Sequence, residues 1–189
     1  MSYNAFAEFY DGLTGNVEYK DRAEYIEKLI KSFGREAGTT LDLACGTGSL
    51  TLELYRRGFD IFGVDASIDM LLEAQQKCSE DEQILFICQK MQRLNLASEI
   101  DTCICTLDSI NHLTNPKDVK ETFKRVAKYL SEGGLFIFDV NTIYKHREVL
   151  CDNCFVFDTD EVFCSWQNEL DKETDIVNIT LDFFIPDEN

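Results

Sequence analysis

The 189-residue chain has no long apolar run, and Met1-Ser2-Tyr3-Asn4 does not begin an export signal. The first absence argues against a membrane-spanning helix and the second against secretion, so the expected setting is the cytoplasm. Basic residues are scarce: 18 Lys and Arg stand against 35 Asp and Glu, a net charge of −17. A field of that sign repels nucleic-acid phosphates and anionic membrane surfaces, which leaves a small molecule or another protein as the expected partner. Only two histidines are present, and Cys151 and Cys154 form a CxxC without a second one to complete a four-ligand zinc site. No metal centre is expected. Eight cysteines in a chain without an export signal read as free thiols, with Cys88, Cys103, Cys105 and Cys164 buried inside apolar segments.

What is present centres on Leu41-Asp42-Leu43-Ala44-Cys45-Gly46-Thr47-Gly48-Ser49-Leu50-Thr51. An apolar run suited to a buried strand breaks at two glycines and resumes with helical character. A strand, a tight glycine turn and a helix start together make a cofactor cradle. Glycine lets the backbone turn and lets a ligand approach closely, and the free N–H groups of the helix start give the site a positive end. The dinucleotide fingerprint requires a third glycine three residues on, where this chain has Thr51. Asp65 closes the next strand-like run, Asp60-Ile-Phe-Gly-Val-Asp65, where a carboxylate can accept both hydroxyls of a ribose.

The flanking pattern supports one domain over residues 1–189. Aromatic spacing predicts a helix over 3–12 and apolar spacing a second over 19–33. Strands are expected at 39–45, 60–65, 84–88, 100–107 and 135–140. Helices are expected at 49–57, after a Ser67 cap, and at 116–130 behind Asn115 and Pro116. Such alternation argues for an α/β fold with a doubly wound, mostly parallel sheet and a ligand crevice at the carboxyl ends of its strands. After residue 141 three strand-like runs, 155–158, 161–168 and 175–185, follow with no helix between them. They read as an antiparallel β-meander appended to the sheet.

Asp42-Leu-Ala-Cys-Gly-Thr-Gly48, Gly63-Val-Asp65-Ala-Ser67 and Met70-Leu71 together resemble the class I S-adenosylmethionine-dependent methyltransferases. The likeness is closest to a small bacterial group with an aromatic N-terminal segment, here Tyr3-Asn-Ala-Phe6-Ala7-Glu-Phe-Tyr10-Asp11. Leu107-Asp108-Ser109-Ile-Asn111-His112-Leu113, Gly133-Gly134-Leu-Phe-Ile-Phe-Asp139-Val-Asn141 and Asp160-Glu161-Val-Phe extend it over nearly the whole chain. The resemblance implies a Rossmann-like methyltransferase fold: a helical cap over 1–36, a cofactor-binding core over 37–141 and an acceptor-side extension over 142–189. It places Ala44, Gly46 and Gly48 at the methionine end of S-adenosyl-L-methionine and Asp42 near the cofactor's amino group, through water. Asp65 would hold the ribose hydroxyls, Ala66 and Met70 would flank the adenine, and Leu107 and Asp108 would line the methionine side. Tyr3 and Tyr10 would lie on the covering segment. His112 is the candidate general base where the acceptor needs one.

Two departures carry expectations of their own. The family usually has Gln-Asp-Met after the third strand, and this chain has Gln89-Lys90-Met91. Lysine cannot accept a bond from the adenine amino group, so that contact passes to the backbone near Met91 or to Gln92. The family also continues into a helix and a final antiparallel strand pair, which this sequence lacks. The expectation is a short form with an uncovered sheet edge, prone to homodimerise. The expected activity is in-line methyl transfer to a small-molecule acceptor. A cofactor-binding protein without turnover, or one dependent on a partner, is the alternative, and an NAD(P)-dependent oxidoreductase is the more distant one.

Overall fold

The computed structural model describes residues 3–159 and 162–185, with side chains from residue 6 onward. The Tyr3 side chain and the Asp160-Glu161 motif therefore lie outside the described residues. The chain divides into two compact units, Met1–Val140 and Asn141–Asn189.

The first unit begins with α1 (Tyr3–Leu13) and α2 (Tyr19–Ser32) and then alternates. Its elements are β1 (Thr39–Leu43), α3 (Ser49–Arg56), β2 (Asp60–Asp65), α4 (Ile68–Gln76), β3 (Phe86–Cys88), β4 (Ile100–Cys105), α5 (Pro116–Tyr129) and β5 (Leu130–Phe138). The five strands are all parallel, in the order β3-β2-β1-β4-β5. The chain starts in the middle, winds outward through β2 and β3, and then returns to the other side of β1. The order reverses between β1 and β4, so the segments leaving those two strands diverge and open a crevice at their carboxyl ends.

Period-two alternation divides the core between the two faces of the sheet. Leu41, Leu43, Cys103 and Cys105 join Leu94, Val126 and Tyr129 in one cluster, on the α5 side. Ile61 and Ile104 join Ala23, Ile26, Ile30, Leu50 and Leu54 in the other, on the α2 and α3 side. Full burial of aliphatic side chains such as these contributes about 1.5–3 kcal/mol each. Two helix starts are capped as the sequence suggests: Ser67 Oγ accepts from the Met70 amide at 3.3 Å and Asn115 Oδ1 from the Lys117 amide at 3.0 Å.

The second unit contains a helical turn, Lys145–Leu150, and the antiparallel strands β6 (Cys154–Asp158), β7 (Phe163–Asp171) and β8 (Ile176–Phe184) in the order β6-β7-β8. Arg147 Nη2 donates to both oxygens of Asp175, at 2.8 and 2.9 Å, tying the helical turn to the β7–β8 connection.

The structure changes the expectations for the meander and for Cys88. The meander forms a sheet of its own rather than extending the parallel one. Cys88 is exposed, since only its neighbours on the short strand β3 are covered, whereas Cys103, Cys105 and Cys164 are buried. All eight cysteines are free thiols. No helix among the described residues is long and apolar enough to cross a membrane.

Candidate functional site

The segment leaving β1 turns by repeated use of the left-handed region: Ala44, Gly46 and Gly48 have φ of 61°, 56° and 71°. The amides of Ala44 and Cys45 both donate to the Val64 carbonyl, at 2.7 and 3.1 Å, which holds the turn to the end of β2. The Gly46 amide donates to Asp65 Oδ2 at 2.9 Å, and the Ser67 amide to Asp65 Oδ1 at 2.8 Å. One carboxylate therefore bridges the β1–α3 turn and the start of α4. Each of its oxygens keeps a second lone pair for another donor. A Cβ on Gly46 would meet nothing within 4 Å, so that glycine borders open space.

Asp42 is buried in β1, and its Oδ2 accepts from Thr51 Oγ1 on α3 at 2.5 Å. Burial pushes its carboxyl up to about 6; the Thr51 hydroxyl opposes this and the Asp65 charge adds to it. The ordinary value of 3.8 lies below the folded one, so the folded protein holds the proton more tightly than the unfolded chain does. The resulting stabilisation is fully present below about pH 4 and is lost as pH rises to about 6. Asp42→Asn cannot ionise. Its stability relative to wild type should rise by about 2–3 kcal/mol between pH 4 and 6 and then level off, as read from denaturation midpoints.

A cavity of about 40 Å³ at this turn is lined by Tyr10 and Tyr19 from the two N-terminal helices, Asp42, Ala44, Gly46, Thr47 and Ser49 from β1–α3, and Leu107 and Ser109 beyond β4. Burial raises the phenol pKa of both Tyr10 and Tyr19, so both remain neutral hydrogen-bonding groups at physiological pH.

Asp11 ties α1 to this turn. Its Oδ1 accepts from Thr47 Oγ1 at 2.7 Å and Ser49 Oγ at 3.1 Å, and its Oδ2 from Lys77 Nζ at 2.5 Å, beyond the end of α4. Asp11 and Lys77 are partly exposed, so the ion pair is discounted for solvent screening and the set contributes about 1 kcal/mol. Asp11→Ala should speed amide exchange in α1 about fivefold, by that free energy, and leave exchange in β1 and β4 unchanged.

Of the residues singled out in the sequence, Tyr10, Asp42, Ala44, Gly46 and Leu107 line the cavity together. Asp65 stands behind the turn, and Gly48 packs against α4. A Cβ on Gly48 would lie 2.9 Å from Ala74 Cβ. Ala66 is exposed and Met70 is buried in α4. Met91 begins the short turn Met91–Arg93 after β3 and packs on the core. Gln89 uses its side chain to close the following loop, accepting from the Asn95 amide at 2.8 Å and donating to its carbonyl at 3.1 Å. Leu107 and Asp108 have φ of 57° and 50°. His112 is exposed at the end of the turn Ser109–His112 and does not line the cavity. Tyr19, Thr47, Ser49 and Ser109 were not singled out. The glycine spacing could have flagged Thr47 and Ser49, which sit inside or beside it, but no local signal marks Tyr19 or Ser109.

Around the crevice Asp11, Asp42, Asp65, Asp108 and Asp139 face the cations Lys77 and Arg22. The excess of acid suits a ligand with positive charge, and a sulfonium beside an ammonium group has that character. With the open space at Gly46 and the remaining lone pairs of Asp65, the residues fit S-adenosylmethionine chemically.

A model of the "Methyltransferase domain" family matches residues 40–134. YqeM of Bacillus subtilis (strain 168), a methyltransferase by name, is 35% identical over 186 residues, 98% of this chain and 74% of its own length. A crystal structure of an S-adenosylmethionine-dependent methyltransferase from Clostridium acetobutylicum ATCC 824 is 38% identical, with a TM-score of 0.86 over 98% of this chain and 76% of that one. A glycine/sarcosine N-methyltransferase of Aphanothece halophytica is 30% identical over 138 residues, 71% of this chain and 51% of that protein.

Proposed function

The chain belongs to the methyltransferase-domain family of S-adenosylmethionine-dependent enzymes, and from that premise we propose that it methylates a small-molecule acceptor at the crevice between β1 and β4. The carrying observation is the Asp65 carboxylate at the end of β2, which bridges Gly46 and Ser67 beside that crevice. Family membership also favours this reading over a nicotinamide-dependent one, which Thr51 already disfavoured.

In this reading Asp65 accepts the ribose hydroxyls through its second lone pairs. Ala44, Gly46 and Gly48 bring the backbone close to the methionine end, and Asp42 faces the cofactor's ammonium group. A cation there favours the ionised Asp42, so cofactor affinity should fall as pH drops below about 6. Ala66 and Met70 border the adenine, with the backbone near Met91 or Gln92 in place of the family's aspartate. Leu107 and Asp108 border the methionine side, and Tyr3 and Tyr10 cover it. When bound, S-adenosylmethionine supplies a methyl group on a sulfonium, whose departure needs no acid. The chain's own work is alignment of the acceptor and exclusion of water. Asp108 and Asn111 orient the acceptor, and His112 takes its proton where the acceptor's pKa requires a base. Residues 142–189 serve acceptor recognition.

The small-molecule class draws support from the acidic charge, which disfavours nucleic acid and anionic membranes, and from the likeness to a glycine/sarcosine N-methyltransferase. The test is incubation with methyl-labelled S-adenosylmethionine and a bacterial extract split into small-molecule, protein and nucleic-acid fractions. Label in the small-molecule fraction supports the reading, and label confined to protein or nucleic acid overturns it.

The eight free thiols accord with a reducing compartment, so the proposed site of action is the cytoplasm. β5 ends the parallel sheet, and Phe138 and Val140 at its close are 41% and 50% exposed. An end strand of that kind invites pairing with a second copy. Light scattering at micromolar concentration should give the mass of a dimer, and a stable monomer would contradict this part of the proposal.

A further inference from the structure

Two consecutive non-glycine residues, Leu107 and Asp108, take positive φ of 57° and 50° where the chain leaves β4. L side chains adopt that conformation only when surrounding structure holds them there. The holding group here is a single carboxylate on the neighbouring strand end. Asp139 follows β5, and its amide extends the parallel ladder by donating to the Cys105 carbonyl at 3.3 Å. This puts its side chain beneath the turn. Oδ2 accepts from the Leu107 amide at 3.1 Å and Oδ1 from the Asp108 amide at 2.7 Å. Successive amides that converge on one anion form a concave nest, filled here by the protein's own acid. Arg22 of α2 donates to the same Oδ2 at 3.2 Å, balancing a charge near Asp42 and Asp65 and fixing the rotamer.

We propose that Asp139 is a positioning residue: it sets the left-handed turn at Leu107–Asp108 through both amides, with Arg22 holding its carboxylate from α2. The inference rests on the functional reading above, in which that turn borders the methionine side of the cofactor. The carboxylate is the only side-chain form that can serve both amides at this site. In Asp139→Asn the amide nitrogen is a donor facing a donor, so one of the two bonds is lost along with the charge that pairs with Arg22. The same three-part link joins β4, β5 and α2, so a change at Arg22 reaches the turn without touching it.

The test compares wild type, Asp139→Asn and Asp139→Ala by hydrogen exchange of individual amides without cofactor and by calorimetric titration with adenosylhomocysteine. Exchange at Leu107 and Asp108 should accelerate about tenfold in both variants and affinity should fall about tenfold, with the melting temperature of Asp139→Asn near that of wild type. Glu82→Gln, which weakens the distant Arg56–Glu82 pair, supplies the structural control and should leave affinity unchanged. Unchanged exchange at residues 107 and 108 overturns the inference while leaving the functional reading intact. Faster exchange with unchanged affinity also overturns it, because the turn then does not position the ligand. Failure of wild type to bind adenosylhomocysteine overturns the functional reading first and the positioning role with it.

Discussion

Asp65→Ala should weaken adenosylhomocysteine binding by about 1–3 kcal/mol, roughly 5- to 150-fold. Two losses contribute. The first is the acceptor for the ribose hydroxyls, a charged group whose hydrogen bonds exceed neutral ones in strength. The second is internal: the amides of Gly46 and Ser67 lose their shared partner, so the turn after β1 and the start of α4 no longer move as one piece. Asp65→Asn separates the two. Its one carbonyl oxygen can keep one amide or serve the ligand, so its affinity should fall between wild type and the alanine variant. Calorimetry across the three proteins checks the order, and equal dissociation constants would remove Asp65 from the pocket.

Gly48→Ala should produce the largest loss of stability among the turn substitutions. Gly48 has φ of 71°, and a Cβ there would lie 2.9 Å from Ala74 Cβ and 3.2 Å from Phe86 Cζ. Left-handed backbone costs an L residue about 1–2 kcal/mol, and overpacking against α4 and β3 adds about 1–3 kcal/mol. The sum is about 2–5 kcal/mol, a large part of an ordinary stability of about 5–15 kcal/mol. Gly46→Ala provides the comparison. Its φ of 56° carries the strain, but a Cβ there would meet nothing within 4 Å, so its cost should stay near the strain of about 1–2 kcal/mol. Chemical denaturation distinguishes these outcomes. Equal losses would mean that α4 and Phe86 yield easily, and the close packing assigned to Gly48 would be wrong.

The two glycines also show what the sequence could reveal. Gly46 and Gly48 punctuate the chain where an apolar run turns into a helix, and both punctuation and run are local. Asp65 was legible for a similar reason, because it closes a strand-like run just before Ser67, a cap residue. The parallel core followed from the same alternation, whereas the order of its strands came only with the structure. Less local features were hidden. Asp11 meets Thr47 and Ser49 across separations of 36 and 38 residues, and Asp139 meets Leu107 and Asp108 across 32 and 31. Such pairs exist only after the helices and strands have packed, and no spacing rule announces them. Asp139 stood within a motif quoted for the family likeness, yet its partners came only with the register of β4 and β5. The start of β5 was misplaced for a different reason. It was expected at residue 135, after the two glycines, whereas the strand begins at Leu130 opposite Ile100 and recovers its register beyond a bulge.

Histidine 112 marks the limit of reading chemistry from residue type. Its position after β4 made it a candidate base, but it is exposed and stands off the cavity lining. Alignment of the acceptor therefore carries more of the proposed mechanism than proton transfer does.

The most direct test of the central claim is a side-by-side calorimetric titration of the wild-type protein with adenosylhomocysteine and with NAD. The crevice built by Gly46, Asp42 and Asp65 should bind adenosylhomocysteine saturably, one per chain, and show no heat with NAD. Saturable NAD binding without adenosylhomocysteine binding would contradict the assignment of that crevice.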